Sequence, residues 1–115
     1  MEIDTTASVD SILLSTLLPL GVPVTRLRFT GKAETYITFQ IISGDETGFA
    51  DDDGTAYEHL YRVDLFSKRN YVQILDQMKR ALKTAGFFGI SVNAEQYERD
   101  TELYHASLNI NYMED

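Results

Sequence analysis

Between Tyr61 and Gly86 the chain changes its hydrophobic period once. Tyr61, Val63 and Leu65 alternate with Arg62 and Asp64, which sends apolar side chains to one face of a strand and charges to the other. From Tyr71 the apolar residues fall at Tyr71, Ile74, Leu75, Met78, Ala81, Leu82 and Ala85, the spacing of a helix with one buried stripe. Asn70 is placed to cap its N-terminus, and Gln73 stands where a capping box would reach back. Lys79, Arg80 and Lys83 gather near the C-terminus, where the helix dipole favours cations, and Gly86 follows as a left-handed C-terminal glycine would.

The remaining elements read in order. Ser8 can cap a first helix whose apolar side is Val9, Ile12, Leu13, Thr16, Leu17 and Leu20, and Pro19 and Gly21 end it. Val22 to Phe29 is a short edge strand or an extended segment. Glu34 to Ser43 is a strand rich in β-branched and aromatic residues, with Ile37, Phe39 and Ile41 on one face. Gly44 to Thr55 is an acidic loop, and Ala56 to Ser67 is the second long strand, so the pair predicts a hairpin with a long tip. After the central helix, Phe87 to Asn93 reads as a strand and Asn93 to Thr101 as a polar connection. In Leu103 to Met113, Tyr104, Ala106, Leu108, Ile110 and Tyr112 alternate with His105, Ser107, Asn109 and Asn111, so one sheet face is covered and the other is polar. The simplest layer solution is an α+β fold. It has a four-stranded, mostly antiparallel sheet with both helices packed on one face.

Composition narrows the function classes. A chain of 115 residues predicts a single domain that buries roughly two-thirds of its unfolded surface. We expect frayed ends at 1–7 and 113–115 and a mobile loop at 44–55. There is no Cys, which excludes a disulfide framework and thiolate chemistry. The net charge of −8 repels nucleic-acid phosphates and argues against a sequence reader, though not against a surface that lets DNA pass without sticking. No apolar run approaches the roughly 20 residues that span a bilayer, and the N-terminus lacks the basic start and apolar core of a signal peptide. The expectation is a soluble protein made in a cytoplasm, without a membrane.

No constellation in the sequence specifies catalysis. His59 and His105 are the only histidines. A general acid–base pair would use them, but no carboxylate or nucleophile stands at a spacing that singles either out, and a structural or surface role is the plainer reading. The acidic loop carries Asp45, Glu46, Asp51, Asp52 and Asp53. It lacks the spacing of an EF-hand loop, so solvated acids are the plainer reading than a metal site. Phe49 within it either folds back on its own domain or anchors to a partner. The basic residues of the central helix read as dipole compensation. The serines and glycines form neither a nucleophile elbow nor a phosphate cradle. Nothing here predicts an enzyme, a cofactor or a metal site.

Several runs together resemble one family. They are Tyr36 to Gln40 (YITFQ), Tyr61 to Tyr71 with Ser67-Lys68 and Asn70-Tyr71 opening the helix, Leu82 to Phe87 (LKTAGF), and Asp100 to His105 (DTELYH) before a strand. In this order and spacing they resemble the tail completion, or tail-to-head joining, proteins of long-tailed phages and prophages, over about Leu13 to Tyr112. Phe66 stands where tryptophan is as common in that family, a change that keeps an aromatic ring. The resemblance implies a virion assembly protein, a tail terminator forming a hexameric ring on the tail tube and docking the filled head. It implies no enzyme activity and no cofactor. Its partners would be other copies of itself, the tail tube protein and a head connector or stopper protein, with DNA passing through unbound. It would be assembled in the host cytoplasm and reside in the tail or neck of the virion. Head-to-tail ring closure uses two different patches per subunit. The polar sheet face and the hairpin loop are the sequence's candidates. Asp45, Glu46, Phe49, Asp51, Asp52 and Asp53 are expected at the channel or the docking surface.

Overall fold

A computed structural model describes the backbone of residues 5–47 and 56–114, with side chains except at 5–8, 44–47, 56 and 57. The order is helix α1 (Thr5–Leu17), a one-turn 3-10 helix (Leu18–Leu20), then strands β1 (Val24–Arg26), β2 (Thr35–Thr47) and β3 (Ala56–Ser67). Helix α2 (Val72–Thr84) and strands β4 (Phe88–Glu98) and β5 (Leu103–Glu114) complete it. The strands form one five-stranded sheet in the order β1-β2-β3-β5-β4. The β1–β2 pair is parallel and the others are antiparallel.

The sheet therefore has five strands rather than the expected four. The fifth is Val24–Arg26, a piece too short to show alternation. Ile37 N–H donates to Pro23 O at 2.8 Å and Leu27 N–H to Phe39 O at 2.8 Å, which fixes it beside β2. The chain then reverses sharply. Leu27 has φ +70°, and Arg28 N–H donates to Arg26 O at 2.8 Å. An i→i+2 bond around a positive-φ residue is a γ-turn of the rare, strained kind. It lets a short connection return to the start of β2, where Phe29 stacks on Tyr36 with centroids 4.3 Å apart.

Both helices cover one face of the sheet, as the alternation of β3 and β5 predicts. Register explains how. Ile37, Leu65 and Ala106 lie across from one another on β2, β3 and β5. Phe39, Val63 and Leu108 form the next layer, and Ile41, Tyr61 and Ile110 the third. Against these layers pack Val9, Leu13 and Leu17 of α1 and Leu75, Met78 and Leu82 of α2. The side chains in this core contribute about 1.5–3 kcal/mol each by leaving water.

Helix α2 follows its sequence signals closely. Asn70 Oδ1 accepts the Val72 N–H at 3.0 Å, whereas no bond from Gln73 closes a capping box. At the other end Phe87 N–H donates to Leu82 O at 3.0 Å and Gly86 N–H to Lys83 O at 3.1 Å. With Gly86 at φ +103°, this is a Schellman motif, and buried Phe87 and Leu82 supply its apolar contact.

Other boundaries differ from expectation. Helix α1 begins at Thr5, so Ser8 lies inside its first turns rather than at its cap. A helix can continue past its buried stripe wherever backbone bonds form. Strand β4 runs to Glu98 and absorbs most of the expected polar connection. It is an edge strand, exposed along nearly its whole length, so nothing demands apolar alternation. Strand β2 continues to Thr47 and pairs with β3 through Thr47↔Ala56, which shortens the expected loop at 44–55. Strand β5 extends to Glu114 in the same ladder.

Candidate assembly surface

On the sheet face away from the helices, one central row is covered by side chains of the rows beside it. Tyr36, Phe66 and His105 are cross-strand neighbours on β2, β3 and β5. Together with Phe29 their rings form one stack, with centroids 4.9 Å apart for Tyr36–Phe66 and 4.1 Å for Phe66–His105. Burial, reinforced by the charge of Glu98, raises the Tyr36 phenol above its usual range. The next row is Thr38, Asp64 and Ser107, all buried. Asp64 Oδ1 accepts from His105 Nε2 at 2.8 Å and from Arg62 Nε at 3.2 Å. Arg62 Nε also donates to Ser107 Oγ at 2.9 Å. The other imidazole nitrogen, Nδ1, stands 3.4 Å from Gln96 Nε2 and 3.5 Å from Glu98 Oε2. Both ring nitrogens are thus occupied by neighbours, and the network is satisfied within the chain.

The polar face was expected to be a wet or contacting surface. Its central row is instead buried, with Asp64 8% and Ser107 2% exposed. Long neighbours from adjacent rows fold over it, as buried polar groups with a full set of partners do.

The two histidines do not converge. His105 pairs with Phe66 on the open face, whereas His59 shares the strand parity of Tyr61 and lies on the helix side. His59 is buried, with Nε2 3.3 Å from Glu114 Oε1 and Nδ1 without a partner among the described residues. Among the described residues no group of three or more His, Asp or Glu is arranged to hold a metal ion. No described helix is long and apolar enough to cross a membrane. Of the acidic residues expected at a channel, Asp45 and Glu46 fall on the distal part of β2, opposite Glu58 and Tyr57 in the ladder. Phe49, Asp51, Asp52 and Asp53 lie outside the described residues.

Exposed apolar groups border both edges of the sheet, while Leu18, Val72 and Met113 are exposed elsewhere. Strand β4 leaves one side of its backbone unpaired, and exposed Phe88, Val92, Tyr97 and Tyr104 border it. Tyr97 and Tyr104 face each other with centroids 4.9 Å apart, and Tyr71 at the start of α2 joins them at 5.8 Å from Tyr104. The Tyr71 hydroxyl donates to Glu95 Oε1. That bond, with some burial and the carboxylate charge, pushes its phenol up to about 12. Glu95, Asp100 and Glu102 are exposed along or just beyond β4. On the opposite edge β1 covers β2 only over Ile37 to Phe39. Ile42 is pushed out by a bulge between Ile41 and Ser43, and with Leu27 it is exposed there. Arg28 and Lys32 are exposed in the connection between β1 and β2.

Sequence reasoning missed these edges because an edge is a property of strand order, which alternation does not encode. The signal that was available is the charge asymmetry between Arg26–Lys32 and Glu95–Glu102.

No known family model matches the chain, and no curated protein sequence does. Among solved structures it is similar to a chain in the virion of a native gene transfer agent particle, with 13% identity and a TM-score of 0.49. The likeness covers 93% of this chain and 87% of that one. A likeness of this degree does not assign a function, because one chain path serves many roles.

Proposed function

We propose that this chain is a structural phage assembly protein that caps the tail tube as a hexameric ring and joins tail to head. The reading rests on the ordered motifs between Tyr36 and His105, and one structural observation carries it. Two opposite, non-identical sheet edges each carry free backbone and exposed apolar groups, which supplies the two different patches that a closed head-to-tail ring uses. The partners in this reading are the tube protein on one side and a head connector or stopper on the other. The acids Asp45, Glu46, Asp51, Asp52 and Asp53 would keep DNA phosphates from sticking as they pass. The protein would be made in the host cytoplasm and end in the virion as a single tail-terminator-like domain.

A second reading within the class is a head-side neck component. An enzyme is less favoured, since His59 and His105 lie on opposite sheet faces and the ring of His105 is held between carboxylates. Negative-stain microscopy of the protein mixed with purified tail tubes separates these readings. Rings at one tube end, with elongation stopped, are expected. Binding to capsids and not to tubes would make it a head-side part, and binding to neither would end the proposal.

A further inference from the structure

The loops at the two edges differ in charge. The connection between β1 and β2 carries Arg28 and Lys32 after exposed Leu27, and exposed Ile42 lies further along the same edge. The turn that ends β4 carries exposed Asp100 and Glu102 with one exposed cation, Arg99, and exposed Tyr97 lies next to it, with Val92 further back along the strand. Among the described residues none of Arg28, Lys32, Asp100 and Glu102 makes an ion pair within the chain. Their level along the strands also agrees. Phe29 stacks on Tyr36 near the start of β2, and Glu98↔Leu103 marks the turn between β4 and β5 at that same end of the sheet, where Ser67 faces both Thr35 and Tyr104.

The backbone is compatible too. Strand order and pairing make β4 run opposite to β2. A copy placed beside another in the same orientation and at the same level therefore brings the part of β4 from Ala94 to Glu98 antiparallel to β1, which covers β2 over Ile37 to Phe39, and sets the bulged part from Phe88 to Ser91 level with the free part of β2. Natural sheets normally blunt an edge as long and aromatic as β4. This one carries bulges between Phe88 and Ser91 and between Val92 and Ala94, but its register is regular from Ala94 to Glu98.

We infer that the occupant of each edge is a second copy of this chain, the acidic β4 edge of one meeting the basic β1–β2 edge of the next. This deepens the ring reading and rests on it only for closure into a ring. Opposite charges facing across such a contact steer encounter and suppress the like-edge alternatives, acid on acid and base on base.

The test uses two charge-reversed chains, R28E/K32E and D100K/E102K. Each is expected to keep the wild-type circular dichroism spectrum, since the four side chains make no internal ion pair. In sedimentation velocity at low ionic strength the wild type is expected to associate and to come apart as salt rises. Each variant alone now presents two like-charged edges and is expected to stay monomeric. Mixed one to one, every contact in an alternating assembly is again between opposite charges, so association should return to near the wild-type level. A folding defect would not be rescued by mixing. The inference is overturned if the variants associate as the wild type does, if the mixture stays monomeric, or if the wild type itself never associates at low salt. Tube capping, scored separately by microscopy, reports on the ring-cap reading whichever way the sedimentation experiment falls.

Discussion

The Tyr61 hydroxyl donates to Asp10 Oδ1 at 2.6 Å, joining the middle strand to the first helix beneath the core. The other carboxylate oxygen accepts from Arg26 Nε at 2.8 Å. One acid therefore ties together α1, β1 and β3. Tyr61 is fully buried, and its phenol is raised well beyond the usual range, first by burial and then by the bond to Asp10 and its charge, against a small opposing effect of Arg26.

Tyr61→Phe should therefore cost stability and also alter its pH dependence. The lost hydrogen bond is to a charged acceptor, so about 1.5–3 kcal/mol is expected at neutral pH, at the low end because Arg26 still holds Asp10. A phenol raised in the folded state contributes fully below its unfolded pKa of about 10 and loses that contribution as pH rises further. Urea unfolding at pH 8 and at pH 11 checks both parts. The wild type should lose more stability between the two than Tyr61→Phe does, and equal losses would remove Tyr61 as the alkaline-sensitive group.

Tyr71 makes a spectroscopic prediction. Its bond to Glu95, the largest cause, pushes the phenol up to about 12. An ultraviolet titration of phenolate should show a late-titrating class that includes Tyr36, Tyr61 and Tyr71, and Tyr71→Phe should remove one tyrosine from it, the one titrating at about 12. In Glu95→Gln the same phenol should move back down toward the usual value near 10. A phase at about 12 unchanged by Tyr71→Phe would belong to another tyrosine.

Gly86 closes α2 at φ +103°. A Cβ there would meet only Tyr112 Cε1 at 3.6 Å, an ordinary contact. Space is thus not the constraint, and the cost of Gly86→Ala is that of a left-handed backbone, about 1–2 kcal/mol. A loss much above that in thermal or urea unfolding would mean that Phe87 or Leu82 had been displaced as well.

This helix end also shows what the sequence could and could not reveal. Gly86, the stripe from Ile74 to Leu82 and the cap at Asn70 are local signals, each decided within a few residues, and they were legible. So was the covered face of β3 and β5, because alternation reports burial directly. The parallel strand at Val24–Arg26 was ambiguous because three residues carry no period. The polar end of β4 was misread because an edge strand exposed on both faces looks like a loop. Asp10 was not singled out. It borders the apolar stripe of α1, and only the tertiary fold brings Arg26 and Tyr61 to it. His105 and Asp64 were both assigned to the polar face, but their bond depends on the register between β3 and β5, which alternation alone leaves open.

Leu27 offers the sharpest separation of folding from assembly. It is the centre of the γ-turn after β1, with φ +70°, and its side chain is 59% exposed. A bulky residue in that conformation costs free energy and gains little by burial within its own chain. Backbone strain at an exposed apolar residue is a sign of selection for something other than the stability of the isolated subunit. Leu27→Gly should relieve the strain and raise stability by about 1 kcal/mol, less the extra entropy of glycine in the unfolded chain. The same change removes an apolar group from the basic edge, so self-association should weaken while the folded monomer becomes harder to denature. Urea unfolding and sedimentation of the one variant measure both effects. If Leu27→Gly were destabilised and associated as strongly as the wild type, the turn would be serving the fold and not the contact.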